Sequence, residues 1–244
     1  MAVLLAKEPS AFEAVNDLHG DLTNLARVVR DEGLSGRLFW RLRRTLAAEG
    51  LFRESLAAIR SGPAPSWEGS DPDSRLDRAY HYFVVSWLGV NGVAGSKRKG
   101  SSYARRYTSG GGDPGVRFAA AVESMPDWHE RLRRVLIYSA CGLEVCERVE
   151  DRDGTVVYCD PPYLVKGSSY DHDFTPEDHR RLAAALGRFM KTRVVVSYYD
   201  HPDLDVLYPG WVRVELPVTK AMVNGTNRRV GGPVSAPEVL LVRN

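Results

Sequence analysis

TVVYCDPPY, residues 155–163, is the stretch of sequence from which the fold of this chain follows. Its first five residues are mostly β-branched or aromatic and predict a strand. The next four predict a rigid turn, because each proline fixes φ and lacks an N–H group. Open α/β folds hold their ligands at the carboxyl ends of their strands. The stretch therefore predicts an α/β fold with a ligand site at the turn.

The turn brings together groups that suit an exocyclic amine. The carboxylate of Asp160 and the carbonyl of Pro161 can each accept one hydrogen of an NH2 group, which would turn the nitrogen lone pair toward an electrophile. Pro162 stiffens the turn, and Tyr163 offers a ring face on which a base can stack. The alternative is a turn that merely ends a buried strand, with Asp160 as a cap for the next element of the chain.

Composition indicates an ordinary globular chain. The 244 residues fit one α/β domain with a large insertion, or two small domains. Apolar residues make up 43% and charged residues 26%, and no apolar run approaches the ~18 residues of a membrane helix. The apolar run 2–6 is too short for a signal peptide and ends at Lys7. We expect a cytoplasmic protein without a membrane segment.

The cysteines and histidines do not form a metal-binding pattern. The three cysteines contain no Cys-x-x-Cys pair, and the six histidines are scattered. We therefore predict no metal site. Cys159 is interpreted as a small buried residue rather than a nucleophile.

Strands and helices alternate along the chain. A strand is expected at 12–15, followed by Asp17 and a helix with apolar residues at helical spacing up to Val29. Asp17 is either an acid that binds the ribose of a nucleoside cofactor or the cap of that helix. Further helices are expected at 35–48, 51–60, 72–89, 143–148 and after Thr175, and further strands at 135–138, 193–197, 212–216 and 238–242. The alternation predicts a mostly parallel sheet with helices on both faces.

Residues 91–117 are rich in glycine and positive charge. Basic side chains interleaved with Tyr103 and Tyr107 suit the neutralisation of phosphates together with contacts to bases. A solvated surface loop is the alternative. The candidate nucleic-acid contacts are Lys97, Arg98, Lys99, Arg105 and Arg106.

With these residues in view, the chain resembles the D12 class of adenine-specific DNA methyltransferases over nearly its whole length. The matching motifs occur in the order that the family uses, and residues 157–163 match its catalytic motif closely. The other matching segments are less specific: Val15–Leu18, Trp87–Leu88, Asn91–Gly92, Val196–Ser197 and Glu238–Leu240.

The resemblance implies a fold, a reaction and partners. It implies a Rossmann-like methyltransferase sheet in residues 1–34 and 135–244, with an inserted target-recognition region at 35–134. It also implies methyl transfer from S-adenosylmethionine to N6 of an adenine flipped out of double-stranded DNA. Asp17 and Asp160 would contact the cofactor. Unless a second chain completes the enzyme, we expect a monomer. The implied catalytic residues are Asp160, Pro161, Pro162 and Tyr163.

Two departures from the family pattern shape the expectations. Family members begin with a first strand and a Phe-x-Gly-x-Gly loop, whereas this sequence starts where that loop should end. We therefore expect an N-terminally incomplete sheet, belonging to a truncated enzyme, to a split enzyme completed by a second chain, or to a DNA-binding remnant. Cys141 stands where many relatives carry an Asp near the cofactor adenine.

The alternative to methylation of adenine N6 in DNA is methylation of RNA or of cytosine N4.

Overall fold

The computed structural model describes residues 2–90, 102–104, 113–164, 174–216 and 238–243. Two compact units make up the chain, residues 1–142 and residues 143–244. The first contains, in order, α1 (Ala2–Ala6), β1 (Glu13–Asn16), α2 (Gly20–Arg30), α3 (Glu32–Arg43), α4 (Glu49–Arg60), α5 (Pro72–Leu88), α6 (Pro114–Glu123), α7 (Met125–Leu132) and β2 (Val135–Tyr138). The second contains α8 (Gly142–Arg148, which starts at the boundary), β3 (Val156–Cys159), α9 (Pro176–Gly187), β4 (Arg193–Tyr199), α10 (Asp203–Leu207), β5 (Val212–Leu216) and β6 (Glu238–Arg243).

Helix α5 is the central element of the first unit. Asp71 caps it by accepting hydrogen bonds from the N–H groups of Asp73 and Ser74, and Pro72 occupies its first turn, where a missing N–H costs nothing. Nine of its 17 residues are buried, so helices pack around most of its circumference. Its fully buried side chains include Ala79, Phe83, Val84 and Leu88.

Strands β1 and β2 form a short parallel pair in the first unit. The N–H of Asp17 donates to the carbonyl of Tyr138, so the carbonyls of Val135 and Ile137 point away from β1. Arg27 and Arg30 of α2 donate to the carbonyls of Ile137 and Val135, at 3.3 and 3.1 Å. The carbonyls on the outer edge of β2 therefore accept hydrogen bonds from guanidinium groups rather than from another strand. The outer edge of β1 carries no backbone hydrogen bond within the described residues.

The second unit holds a mixed sheet in the order β3-β4-β6-β5. Strand β3 runs parallel to β4, while β6 runs antiparallel to both β4 and β5. Helix α9 begins with a capping box in which Thr175 and Asp178 satisfy each other's backbone N–H groups. The buried core of this unit includes Leu182, Leu186, Val194, Val196, Tyr198, Val239 and Leu241.

Within the described strands, the expectation of a mostly parallel sheet holds for strand direction. Strands β1 and β2 pair parallel, β3, β4 and β5 run in one direction, and both antiparallel pairings involve β6. Other sequence expectations need correction. The first strand is shifted by one residue, to 13–16. Helix α3 spans Glu32–Arg43 rather than 35–48, since Asp31 caps its start and Arg44 its end. Helices α6 and α10 were not predicted, although Asp113 is the cap of α6.

The expected helices at 51–60, 72–89 and 143–148 and the strands at 135–138, 193–197, 212–216 and 238–242 are present with bounds within two residues. In the part of the chain that the structure describes, no helix has both the length and the apolar character needed to cross a membrane.

Candidate active site

The segment at residues 160–163, for which the sequence predicts a turn, follows β3 in the second unit as irregular backbone beside the end of β4. Gly154, at φ 77°, makes the turn that leads into β3. The parallel register pairs Cys159 with Val196, which places Asp160 across from Ser197. The buried Ser197 hydroxyl donates to Oδ1 of Asp160 at 2.9 Å. Asp160 itself is exposed, so its carboxylate is held from the protein side and open toward solvent.

Ser197 is in turn held by Tyr158. The phenol of Tyr158 donates to Oγ of Ser197 at 3.3 Å, so that the serine hydrogen is free to point at Asp160. Among the described residues, Ser197 is the one hydrogen-bond partner of the Asp160 carboxylate, and Oδ2 has none. The arrangement leaves one oxygen of Asp160 ready to accept a hydrogen from a ligand.

The ring of Tyr163 lies against the end of β4. It meets the ring of Tyr199 edge-on, with centroids 4.4 Å apart, and lies 6.1 Å from the ring of Tyr198. Partial burial, with a contribution from the charge of Asp160, raises the pKa of the Tyr163 phenol. The ring is therefore neutral and held at a fixed orientation beside the carboxylate.

Behind these residues lies a buried polar chain that sequence reasoning missed. Nδ1 of His179 lies 2.9 Å from the hydroxyl of Tyr198, and that hydroxyl lies 3.4 Å from the hydroxyl of Tyr208. Burial lowers the pKa of His179 and raises the pKa of both phenols, so all three are neutral. The chain ties α9 and α10 to β4, the strand that supports the turn. Only a tertiary contact joins these three positions, so no local pattern could have identified them.

Asp17 follows β1 in the first unit. Its Oδ1 accepts a hydrogen bond from the N–H of His19 at 2.8 Å, and Nδ1 of His19 accepts one from the N–H of Leu22 at 3.2 Å. The cap of α2 is therefore His19, and of the two alternatives for Asp17, the one in which it caps the helix was wrong. Asp17 stabilises the turn before α2 with one oxygen. Its other oxygen has no hydrogen bond to any described residue.

Asn16, the residue before Asp17, fixes the loop after β2. Its side-chain amide donates to the carbonyl of Ala140 and accepts from the N–H of Ala140, both at 3.0 Å. These bonds continue the ladder of the parallel pair by one step with a side chain. In the sequence, the signal for this contact is an Asn at the last position of a strand.

The candidate nucleic-acid contacts Lys97, Arg98, Lys99, Arg105 and Arg106 lie outside the described residues. Tyr103, described between them, has a structural environment: its ring lies 5.9 Å from that of Phe52, and its hydroxyl donates to the carbonyl of Ala47 at 3.1 Å. The Tyr103 side chain therefore packs within the first unit and is not free to stack on a base.

The structure thus joins Asp160 and Tyr163 to β4 in the second unit and places Asp17 at a strand end in the first. Within the described ranges, no group of three or more His, Cys, Asp or Glu side chains is arranged to hold a metal ion. A neutral aromatic ring beside a half-satisfied carboxylate can bind a planar ligand that carries an amine.

Comparison with curated proteins gives no match. Residues 2–224 match the model of a family described as D12 class N6 adenine-specific DNA methyltransferase. The match spans nearly the whole chain and includes the two strand ends that carry Asp17 and Asp160. This chain therefore belongs to the D12 class N6 adenine-specific DNA methyltransferase family.

Proposed function

We propose that this methyltransferase flips an adenine out of double-stranded DNA into the turn at residues 160–163 and methylates its N6 there. The observation that carries the proposal is the state of the Asp160 carboxylate: Ser197 holds Oδ1, and Oδ2 has no partner among the described residues. A catalytic hydrogen-bond acceptor must be held in a fixed position and must keep one oxygen free to accept a hydrogen bond from the substrate. Tyr163 lies beside it with its ring held by Tyr199.

The chemistry follows from the acceptors of the turn. Oδ2 of Asp160 and the carbonyl of Pro161 accept the two hydrogens of N6, which withdraws the nitrogen lone pair from the ring. Pro162 keeps that carbonyl in place because its φ is fixed. S-adenosylmethionine, when bound, supplies a methyl group on a sulfonium sulfur. Asp160 need not be a strong base, because N6 loses its proton after positive charge has developed on the nitrogen. Stacking on Tyr163 offsets part of the few kcal/mol that base flipping costs.

We assign Asp17 to the ribose of S-adenosylmethionine and Asp160 to the region of its methyl group. The fit of Asp17 rests on its place at the end of β1 and on the oxygen that His19 does not use. The rigid turn at His19 would keep that oxygen in a constant position. Isothermal titration of S-adenosylmethionine into the chain and into Asp17→Ala tests the assignment, and equal affinities would refute it.

We propose the DNA contacts from the positive charge of five side chains and from their positions in the sequence. Five basic residues between 97 and 106 would neutralise phosphates, with residues 35–134 as the target-recognition region and 1–34 with 135–244 as the catalytic domain. Their replacement in pairs should weaken binding to all duplexes alike and reduce its salt dependence. A loss confined to one DNA sequence would instead assign them to base contacts.

A second candidate, one half of a split enzyme, is favoured by the open strand edges. The N–H of Arg193 donates to the carbonyl of Thr155, so the backbone groups of Val156 and Tyr158 point away from β4. Those groups have no backbone hydrogen bonds within the described residues. Each of β1 and β3 could therefore accept one more strand, such as the strand that precedes a cofactor-binding loop.

The experiment uses the full chain with labelled S-adenosylmethionine and duplex DNA, and the DNA is then digested to nucleosides. We expect N6-methyladenine from the native chain, and a rate at least ~10²-fold lower from Asp160→Ala with DNA affinity unchanged. Asp153→Ala, an exposed Asp in the turn before β3, is the matched control and should retain activity. Methylation that survives in Asp160→Ala would refute the site.

The same experiment separates the alternatives. Methylated cytosine, or label in RNA but not in DNA, would replace the adenine assignment. DNA binding without cofactor binding or transfer would favour the split enzyme or the DNA-binding remnant. Recovery of activity on addition of a second chain would then distinguish those two.

A further inference from the structure

Two cysteines of the second unit lie in contact next to the turn. Cys146 is in the last turn of α8, Cys159 is the last residue of β3, and their sulfur atoms are 3.9 Å apart. Both are free thiols. A disulfide requires the sulfurs to approach by about 1.9 Å more, to about 2.05 Å. Rotation of the two side chains about their Cα–Cβ bonds can share that movement.

The backbone on both sides of this pair is anchored to the segment 188–192, which leads into β4. Arg188 donates to the carbonyls of Cys146, Glu147 and Val149, which fixes the end of α8. Asp151 accepts hydrogen bonds from the three backbone N–H groups of residues 190–192, directly before β4. Because β4 also pairs with β3, the two sulfurs are kept close by the fold.

We propose that Cys146 and Cys159 are a site of reversible oxidation, at which a peroxide converts the two thiols into a disulfide that links α8 to β3. This inference is independent of the proposed function. It concerns a strand end that Asp160 directly follows, so the crosslink would form one residue away from the candidate catalytic carboxylate.

The two cysteines differ in reactivity. The hydrogen bond from the Cys159 thiol, with the nearby charge of Arg188, lowers the pKa of Cys146, while the same contact and burial raise the pKa of Cys159. Of the two, Cys146 therefore loses its proton more readily, and in the proposed reaction it is the sulfur that attacks first. Cys159 is partly exposed and gives a small uncharged oxidant access to the pair.

The reaction balances with one peroxide. The Cys146 thiolate attacks one peroxide oxygen, the O–O bond breaks, and a sulfenic acid forms with loss of hydroxide. The Cys159 sulfur then attacks the oxidised sulfur, releases its proton and displaces the hydroxyl group as water. In sum, two thiols and one hydrogen peroxide give one disulfide and two waters. A thiol reductant reverses the step.

The test is peptide mapping of the full chain after treatment with hydrogen peroxide and alkylation of the remaining thiols. We expect a mass loss of about 2 Da before alkylation, one alkylated cysteine, and restoration by dithiothreitol. Cleavage after Glu144 separates Cys141 from Cys146, so the linked peptides identify the partners directly. They should join Cys146 to Cys159.

Variants provide the controls. Cys141→Ser should form the crosslink at a rate within about 2-fold of the native chain, whereas Cys146→Ala and Cys159→Ser should each abolish it. Stable sulfenic or sulfinic acid at either position without a linked peptide would overturn the proposal, as would a crosslink through Cys141. If a variant fails to fold, the native chain still tests the proposal, because its linked peptides show which cysteines are joined without any substitution.

Discussion

The ion pair between Asp21 and Arg78 should be a main determinant of the stability of the first unit. Arg78 of α5 donates to both carboxylate oxygens of Asp21 on α2, at 2.5 and 3.0 Å, and to the carbonyl of Ala58 at 3.0 Å. The side chains of Asp21 and Arg78 are 12% and 11% exposed. Helix α2 follows the turn made by Asp17, so the pair also fixes the element beside that acid.

The substitution Asp21→Asn leaves the guanidinium of Arg78 buried without a counter-charge. Breaking a buried pair in this way costs about 3–5 kcal/mol, and we take the lower end, about 3 kcal/mol, because Asn keeps one acceptor oxygen. For a chain of this length the loss corresponds to a fall in Tm of roughly 6–12 °C.

A matched control lies on α5 itself. Asp73 pairs with Arg37 at 2.5 Å, but these side chains are 71% and 53% exposed. Asp73→Asn should therefore cost about 0–1 kcal/mol. Thermal unfolding followed by circular dichroism compares the two variants, and hydrogen exchange of the α2 amides localises the effect. A fall in Tm for Asp21→Asn no larger than that for Asp73→Asn would refute the reasoning.

Three further predictions concern single side chains. Hydrogen bonds from Arg131 lower the pKa of the buried Glu13 from 4.5 to about 2. Its stabilising contribution is therefore complete above pH 4.5 and is lost as the pH falls through about 2; Glu13→Gln should remove this part of the acid dependence of urea midpoints. Asn16→Ala should lower the free energy of unfolding by about 1–3 kcal/mol in urea titrations, since both bonds to Ala140 are lost, and an unchanged midpoint would contradict this. Backbone N–H groups lower the pKa of Asp151, so Asp151→Ala should speed hydrogen exchange of amides 190–192, whereas unaltered protection would exclude its anchoring role.

Much of the local structure could be predicted from the sequence. The cap at Thr175 followed by proline, and the apolar spacing of 51–60 and 72–88, depend on interactions within a few residues, and the structure has these helices. The end of β3 at Cys159 was predicted for a similar reason, because each of the two following prolines lacks an N–H group and fixes its own φ angle; residues 160–163 have irregular backbone rather than the predicted turn.

The partners of the predicted site residues could not be read in this way. Ser197 reaches Asp160 across 37 positions of sequence, through the parallel register of β3 and β4. The chain through His179, Tyr198 and Tyr208 joins three elements of the second unit. Register and strand direction are set by packing of whole strands, and one slip by a residue would turn Ser197 away from the carboxylate.

By itself, therefore, the sequence determined the chemical groups of the candidate site and the strand end on which they lie, because local backbone preferences and side-chain chemistry are properties of short segments. The tertiary structure alone decided that one oxygen of Asp160 is held by a buried serine, that His19 rather than Asp17 caps α2, and that two distant cysteines are in contact. Each of these depends on which elements pack together, and packing is a property of the whole unit.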